Sequence, residues 1–230
     1  HTELFMPLTL AEQLLLIATD DRKGSVLFDA SAALPYGLTG ALLLELLLAG
    51  KLAWMDGMLH VQDAGATVDA VHDEALALIA ASRKPRDAKY WVSRLSSKLK
   101  RLRPRVYEGL VQKGILARME KHFLWCIPYQ RFPEHDPQPE RLVRERLYEF
   151  LHGRVDADER LHGLLGLVMA SGLLNEIVPK GERREAKRIA KSVLQQVRVA
   201  GAVKAVAEEV QAAVLIAVVA ATAASSASSS

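Results

Sequence analysis

Apolar positions along the chain recur at helical spacing in most segments and alternate over only a few short stretches. The segment 38–48 is apolar on nearly all sides, which predicts a central buried helix. Thr9 and Glu12 form a capping-box pattern ahead of an apolar run and predict the start of the first helix. Further helices are expected at 68–82, 88–97, 104–113, 140–152, 156–170, 173–178, 182–199 and 201–222.

Two segments predict β-hairpins. In 51–62 the dipeptide Asp56-Gly57 separates two short apolar strands, and this dipeptide favours the positive φ angles of a two-residue turn. The second hairpin is expected from 115 to 127, with its turn at Glu120-Lys121. The order helix–helix–hairpin therefore occurs twice and resembles two winged-helix units without sequence repetition.

These elements predict a mainly α fold, a compact helical bundle surrounded by amphipathic helices and carrying two β-hairpins. Half of the 230 residues are apolar, which suffices for a substantial core. We expect a single domain over 1–223 and a Ser/Ala-rich tail over 224–230. The longest apolar run is too short to span a bilayer and no signal peptide is recognisable, so we expect a cytoplasmic protein with peripheral membrane contact only.

Positive charge is concentrated in one part of the chain. Residues 91–121 contain nine Lys and Arg against two acidic residues, a net charge of +7, whereas the whole chain carries only +3. The rest of the chain is therefore net acidic, and the basicity belongs to a local patch. Such a patch indicates an anionic partner.

The sequence lacks the common catalytic motifs. It contains no dinucleotide-binding glycine pattern, P-loop, nucleophile elbow or zinc-protease helix. The seven histidines share no spacing, and the one cysteine, Cys126, excludes an intramolecular disulfide. We therefore expect a protein that is not an enzyme and has no cofactor and no metal site.

The basic run 98–105 leads into a helix whose first turn contains Pro104. Lys100 and Arg103, with Arg101 between them, can converge on one phosphate near the free N–H groups of that turn. A solvated cationic face is the alternative interpretation. The consecutive Phe123, Leu124 and Trp125 fit either insertion into a membrane surface or a buried strand.

Over residues 8–221 the sequence resembles the Golgi phosphoprotein 3 family, whose eukaryotic members are peripheral membrane proteins that bind phosphatidylinositol 4-phosphate. Its composition favours a bacterial member. The resemblance rests on motifs in the same order and at similar spacing: LTLxE from Leu8, DRxG from Asp21, GLxG from Gly37, LLELLLAGKL from Leu43, DEAL from Asp73, LVxKGIL from Leu110, and AVVAA from Ala217.

This resemblance implies a helical fold with a hydrophobic β-hairpin that inserts into the bilayer beside a headgroup pocket. It matches the hairpin to 120–127, with Phe123, Leu124 and Trp125 as inserting residues, and the phosphate-holding residues to Lys100 and Arg103. The other half of the pocket departs from the family pattern: Thr39 stands where an arginine is expected, and the expected tryptophan falls near Phe28. We then expect the protein to retain binding to an anionic surface and to lose selectivity for the 4-phosphate.

The leading hypothesis is a peripheral membrane adaptor that recognises anionic or phosphoinositide-like headgroups. The resemblance also implies protein cargo and self-association. The alternative is a nucleic-acid-binding protein built from winged-helix-like units. It is the weaker hypothesis, because the helix at 38–48 has none of the Arg, Lys, Asn or Gln side chains that read a DNA groove.

Overall fold

The computed structural model describes residues 7–123, 127–156, 158–195 and 201–227. Within these residues the chain forms nine α-helices and two antiparallel hairpins, which confirms the predicted mainly α fold. The helices are α1 (Leu10–Ile17), α2 (Leu34–Leu48), α3 (Ala70–Ala80), α4 (Ala88–Lys98), α5 (Leu102–Gln112), α6 (Gln138–Leu151), α7 (Glu159–Ala170), α8 (Arg183–Gln195) and α9 (Gly201–Ala227). The strands are β1 (Leu52–Met55), β2 (Met58–Val61), β3 (Met119–Phe123) and β4 (Ile127–Arg131).

Helix α2 lies at the centre of the bundle, as its apolar sequence predicts. It packs against α1, α4, α7 and α9, and Leu38 and Leu42 to Leu44 are fully buried. The helix begins four residues earlier than expected, because Pro35 occupies its first turn, where a proline is well tolerated. Close packing of α9 requires Gly40, since a Cβ atom there would lie 2.2 Å from Cγ1 of Val210.

The local signals in the first third of the chain are confirmed. Thr9 caps α1 by accepting the Glu12 N–H at 3.2 Å, and the Glu12 carboxylate accepts the Thr9 N–H at 2.7 Å. In the β1–β2 hairpin Met55 pairs with Met58, and Asp56 and Gly57 have φ angles of 53° and 74°. These are the two positive angles that a type I′ turn needs.

A polar tether joins three elements at the start of the described chain. Glu45 of α2 accepts the Leu10 N–H of α1 at 2.8 Å and a hydrogen bond from Arg160 of α7 at 2.7 Å. The same Arg160 guanidinium donates to the Leu8 carbonyl at 2.7 Å. The Glu45 side chain is only 15% exposed, so the pairing compensates a charge that is largely removed from water.

The second hairpin exists, but its predicted register is wrong. Glu120 and Lys121, expected at the turn, lie within β3 and pair with Gln130 and Tyr129 of β4. The strands pair up to Phe123 and Ile127, and residues 124–126 lie outside the described residues. Glu-Lys has no preference for the positive φ angles of a tight turn, so this dipeptide was a poor turn signal. Ile115 and Leu116, expected in the first arm, are buried in the core instead.

The repeated order is confirmed, with α1, α2 and β1–β2 followed later by α4, α5 and β3–β4. Helix α9 continues to Ala227, past the expected end near 222. Over the described part of the chain, no helix combines the length and apolar character needed to cross a membrane.

Candidate headgroup site at the start of α5

A sharp break between α4 and α5 exposes the first turn of α5. Leu99 leaves the helical conformation with ψ at 94°, and Arg101 takes a left-handed conformation with φ at 55°. Helix α5 then begins at Leu102, and no side chain caps it. The N–H groups of Leu102 and Arg103 have no acceptor among the described residues, and the helix dipole favours an anion at this end.

Three basic side chains surround this uncapped turn. Lys100, Arg101 and Arg103 are all exposed, and none of them forms a hydrogen bond or an ion pair with a residue that the structure describes. Their charges are therefore not neutralised by the described part of the protein.

Three of the other six cations of the patch are neutralised locally. Arg105 donates to the Glu74 carboxylate of α3 at 2.5 Å, Lys113 donates to Glu12 at 2.6 Å, and Arg118 pairs with Glu108. The sequence patch of +7 is thus divided into a paired part and an unpaired part. The unpaired part includes the residues that the sequence predicts for headgroup binding, together with Arg94, Lys98 and Lys121.

Tyr107 connects the start of α5 to the second hairpin. Its ring stacks on Phe132 with centroids 4.3 Å apart, and its hydroxyl lies 2.9 Å from Oγ1 of Thr19. Burial raises the pKa of Tyr107, while the positive charges of Arg103 and Arg131 oppose that rise. Arg103 of α5 and Arg131 of β4 therefore both contribute to the electrostatic environment of this buried hydroxyl.

Arg131 is the basic residue that the sequence interpretation missed. It ends β4, where it pairs with Met119, and its guanidinium lies 5.0 Å from the ring centroid of Tyr129. The incorrect hairpin register hid it, because that register ended the hairpin at Ile127. The available signal was the arginine that follows Ile127 four residues later, after Pro128, Tyr129 and Gln130.

The segment that carries Phe28 is attached beside Tyr107. Thr19, which binds the Tyr107 hydroxyl, pairs with Val26 in an isolated β-bridge, and the Leu27 N–H donates to the Ala18 carbonyl at 2.8 Å. A 3₁₀ turn follows, and Phe28 is 90% exposed. A large apolar side chain with this exposure is suited to contact something other than the bundle.

Thr39 lies in the interior of the bundle. It is fully buried, and its hydroxyl is 2.9 Å from the Tyr36 carbonyl and 3.2 Å from the Val92 carbonyl. The side chain joins α2 to α4 and presents no polar atom to solvent. A threonine side chain does not reach the surface from this position, so Thr39 is not part of the proposed headgroup site.

The loop after α1 holds the base of the second hairpin. The Phe132 N–H donates to the Gly24 carbonyl at 2.9 Å, and the Glu134 N–H donates to the Asp21 carbonyl at 3.1 Å. Gly24 has φ at 59°, and a Cβ atom there would lie 2.3 Å from the Pro133 nitrogen. Only glycine allows this backbone approach.

Phe123 ends β3, whereas Leu124 and Trp125, the other residues expected to insert into a membrane, lie outside the described residues together with Cys126.

A buried carboxyl group, that of Glu140, lies near the loop that holds the second hairpin. Glu140, 4% exposed, accepts a hydrogen bond from Nε of Arg144 at 2.6 Å. Burial raises the pKa of Glu140 to about 7 in spite of Arg144, and the negative charges of Asp21 and Glu134 add to the rise. Burial and Asp21 likewise raise the pKa of Glu134. In the described ranges, no group of three or more His, Cys, Asp and Glu side chains is arranged to hold a metal ion.

Comparison with known proteins gives one family. Residues 10–222 match the family model of Golgi phosphoprotein 3 (GPP34). Vacuolar protein sorting-associated protein 74 of Eremothecium gossypii is 30% identical over 166 residues, which cover 63% of this chain and 49% of that protein. The protein of the same name from Schizosaccharomyces pombe is 28% identical over 169 residues, covering 64% and 49%. The chain thus spans about half the length of these curated relatives.

Proposed function

The chain belongs to the Golgi phosphoprotein 3 family, and from this membership we propose that it is a peripheral membrane adaptor that recognises anionic headgroups. The observation that carries the proposal is the set of exposed cations at the uncapped start of α5, beside the second hairpin. The role is that of a binding protein and not of a catalyst.

Phosphate recognition would use Lys100, Arg101 and Arg103, together with Arg131. The N–H groups of the first turn of α5 supply further donors, and hydrogen bonds between ionised partners are about twice as strong as neutral ones. Phe28, exposed on the neighbouring loop, would contact the headgroup or the glycerol region beside it. Phosphatidylinositol 4-phosphate is the candidate lipid by family membership, but the loss of an arginine at Thr39 favours a broader preference for anionic surfaces.

Membrane insertion would use the end of the second hairpin. The side chains proposed to enter the acyl boundary are Phe123, Leu124 and Trp125, in the hairpin whose base is joined to α5 by the stacking of Tyr107 on Phe132. Cations that meet headgroups and apolar side chains that enter the interface act together in peripheral binding. Cargo binding and self-association remain proposals drawn from the family.

Vesicle flotation tests the proposal. Each basic side chain near an anionic surface contributes about 1 kcal/mol, so Lys100→Ala/Arg103→Ala should weaken binding to phosphatidylserine vesicles about 30-fold. The matched control is Lys187→Ala/Lys191→Ala on α8, which removes the same charge from exposed residues elsewhere. Trp125→Ala should weaken binding without altering its salt dependence. Equal losses in both double variants would contradict a defined site.

The same experiment addresses the nucleic-acid alternative. Helix α2, the recognition helix of the first winged-helix-like unit, is buried along Leu38 to Leu44 and offers no face to a DNA groove. If duplex DNA competes with vesicles for the protein, we therefore expect that competition to be independent of the DNA sequence. If the protein binds duplex DNA and does not bind anionic vesicles at low salt, the nucleic-acid hypothesis replaces the membrane proposal. A phosphoinositide panel then measures selectivity for the 4-phosphate.

A further inference from the structure

The second half of α9 presents apolar side chains to solvent. Among the side chains that the structure describes, Val214 is the last of α9 that is buried in the core. Leu215 and Ile216 follow with 60% and 51% exposure, and the helix continues to Ala227. Glu209 is the last charged residue of the sequence. An exposed, uncharged helix face commonly marks contact with a membrane or another protein.

Contacts through α7 give the direction of α9 relative to α2. A Cβ atom at Gly163 of α7 would lie 3.4 Å from Leu44 of α2 and 4.0 Å from Val203 of α9. A Cβ atom at Gly40 of α2 would lie 2.2 Å from Val210 of α9. The contacts therefore advance along α9 while they go back along α2, so these two helices run antiparallel.

This direction places the exposed part of α9 at the end of the bundle where α2 begins. Ile216 lies six residues beyond Val210, and Leu34, the first residue of α2, lies six residues before Gly40. Each interval is a rise of about 9 Å. Because the helices are antiparallel, Ile216 reaches the level of Leu34.

The proposed headgroup cations lie at the same end. Arg86, just before α4, forms a β-bridge with Leu59 in the hairpin that follows the end of α2. Further along α4, the Val92 carbonyl accepts a hydrogen bond at 3.2 Å from Thr39, which is in the first half of α2. Helix α4 therefore runs antiparallel to α2 and ends towards the start of α2. Lys100, the first of the headgroup residues, follows this end of α4.

The loop after α1 brings the base of the second hairpin and Phe28 to that end as well. Glu45, near the end of α2, accepts the N–H of Leu10, where α1 begins, at 2.8 Å. A Cβ atom at Gly37, near the start of α2, would lie 3.1 Å from Leu14. Helix α1 is therefore antiparallel to α2. The loop that follows α1, which holds the hairpin base and leads to Phe28, lies near the start of α2.

We propose that the second half of α9 is a further membrane-contacting element, with Leu215 and Ile216 in the interface of the anionic bilayer that the headgroup residues bind. Cations that meet headgroups and apolar side chains that enter the interface act together at such a surface. A second copy fits this end of the bundle less well, because the headgroup cations of two copies would face one another and repel. The inference rests on the proposed membrane function and adds a second apolar contact to that of the hairpin.

Flotation with phosphatidylserine vesicles tests the inference in the full chain. Leu215→Gln/Ile216→Gln, the α9 variant, should weaken binding about 30-fold, which corresponds to burial of the exposed halves of two aliphatic side chains. Gln forms helices about as well as the residues it replaces, so this variant should fold. The control is Met55→Gln/Met58→Gln, which changes two side chains that are 48% and 38% exposed in the hairpin after the other end of α2. The control should bind as the wild type does.

A fluorescent label reports the contact without relying on the loss of binding. The environment-sensitive dye NBD, attached to Ile216→Cys in a Cys126→Ser background, should shift its emission to the blue when vesicles are added. The same dye on Ala49→Cys, an exposed position at the other end of α2, should not shift.

The outcomes separate this inference from the function on which it rests. A wild type that binds no vesicles would refute the membrane function itself. Vesicle binding that depends on Lys100 and Arg103, with an α9 variant that binds as the wild type does and no blue shift at position 216, would overturn the inference alone. Equal losses in the α9 variant and its control would also overturn it. A dimer in solution that the α9 variant converts to a monomer, with unchanged vesicle binding, would assign the face to a second copy and overturn it too.

Discussion

The buried Glu140 makes a quantitative prediction about pH and stability. Its pKa rises from 4.5 to about 7 on folding, because burial and the charges of Asp21 and Glu134 outweigh its pairing with Arg144. The folded protein therefore binds this proton more tightly than the unfolded chain. The contribution to stability is greatest below the unfolded pKa of 4.5 and is lost as the pH rises through about 7.

The size of the effect follows from the two pKa values. The difference between 4.5 and about 7 corresponds to about 3 kcal/mol over the full range. About 2–3 kcal/mol of this is expected to be lost between pH 5 and pH 8. Glu140→Gln keeps an acceptor for Arg144 but cannot ionise. The free energy of unfolding of Glu140→Gln, relative to wild type, should therefore increase by about 2–3 kcal/mol between the same pH values.

Urea unfolding followed by far-UV circular dichroism at pH 5 and pH 8 measures this difference. The control is Glu145→Gln on the same helix, whose side chain is 62% exposed and lies 3.9 Å from Arg141. A change of less than about 0.5 kcal/mol is expected for that surface substitution at both pH values. If the pH dependence of Glu140→Gln parallels that of the wild type, the buried carboxyl does not titrate in this range and the reasoning fails.

Two further predictions concern packing and the polar tether. Gly40→Ala should lower the free energy of unfolding by about 1–3 kcal/mol, because its Cβ would lie 2.2 Å from Cγ1 of Val210. The control is Gly163→Ala, whose Cβ would lie 3.4 Å from its nearest neighbour. This substitution should be neutral or stabilising in the same urea assay. Arg160→Ala leaves the Glu45 carboxylate without its guanidinium and should cost about 1–3 kcal/mol, measured as a lower thermal midpoint. A loss for Gly163→Ala as large as that for Gly40→Ala, or an unchanged midpoint for Arg160→Ala, would contradict these interpretations.

The sequence by itself determined the features whose causes lie within a few residues of one another. Thr9 and Glu12 cap the same turn, and Asp56 and Gly57 supply their own turn angles. The uniformly apolar α2 could be assigned to the core because no orientation of such a helix avoids burial. Lys100 and Arg103 were identified from local charge density and remain proposed headgroup residues.

Only the tertiary structure decided the features that depend on distant partners. Arg105 is neutralised by Glu74 of another helix, and the position of Arg131 opposite Met119 follows from the actual register of the hairpin, whose base the loop at Gly24 holds. Thr39 is enclosed by the contact of α2 with α4. Local patterns indicate the type of a side chain and the face of the helix or strand on which it lies. Which charged side chain is left without an ion-pair partner, and which polar atom without a hydrogen-bond partner, depends on contacts between segments far apart in the chain.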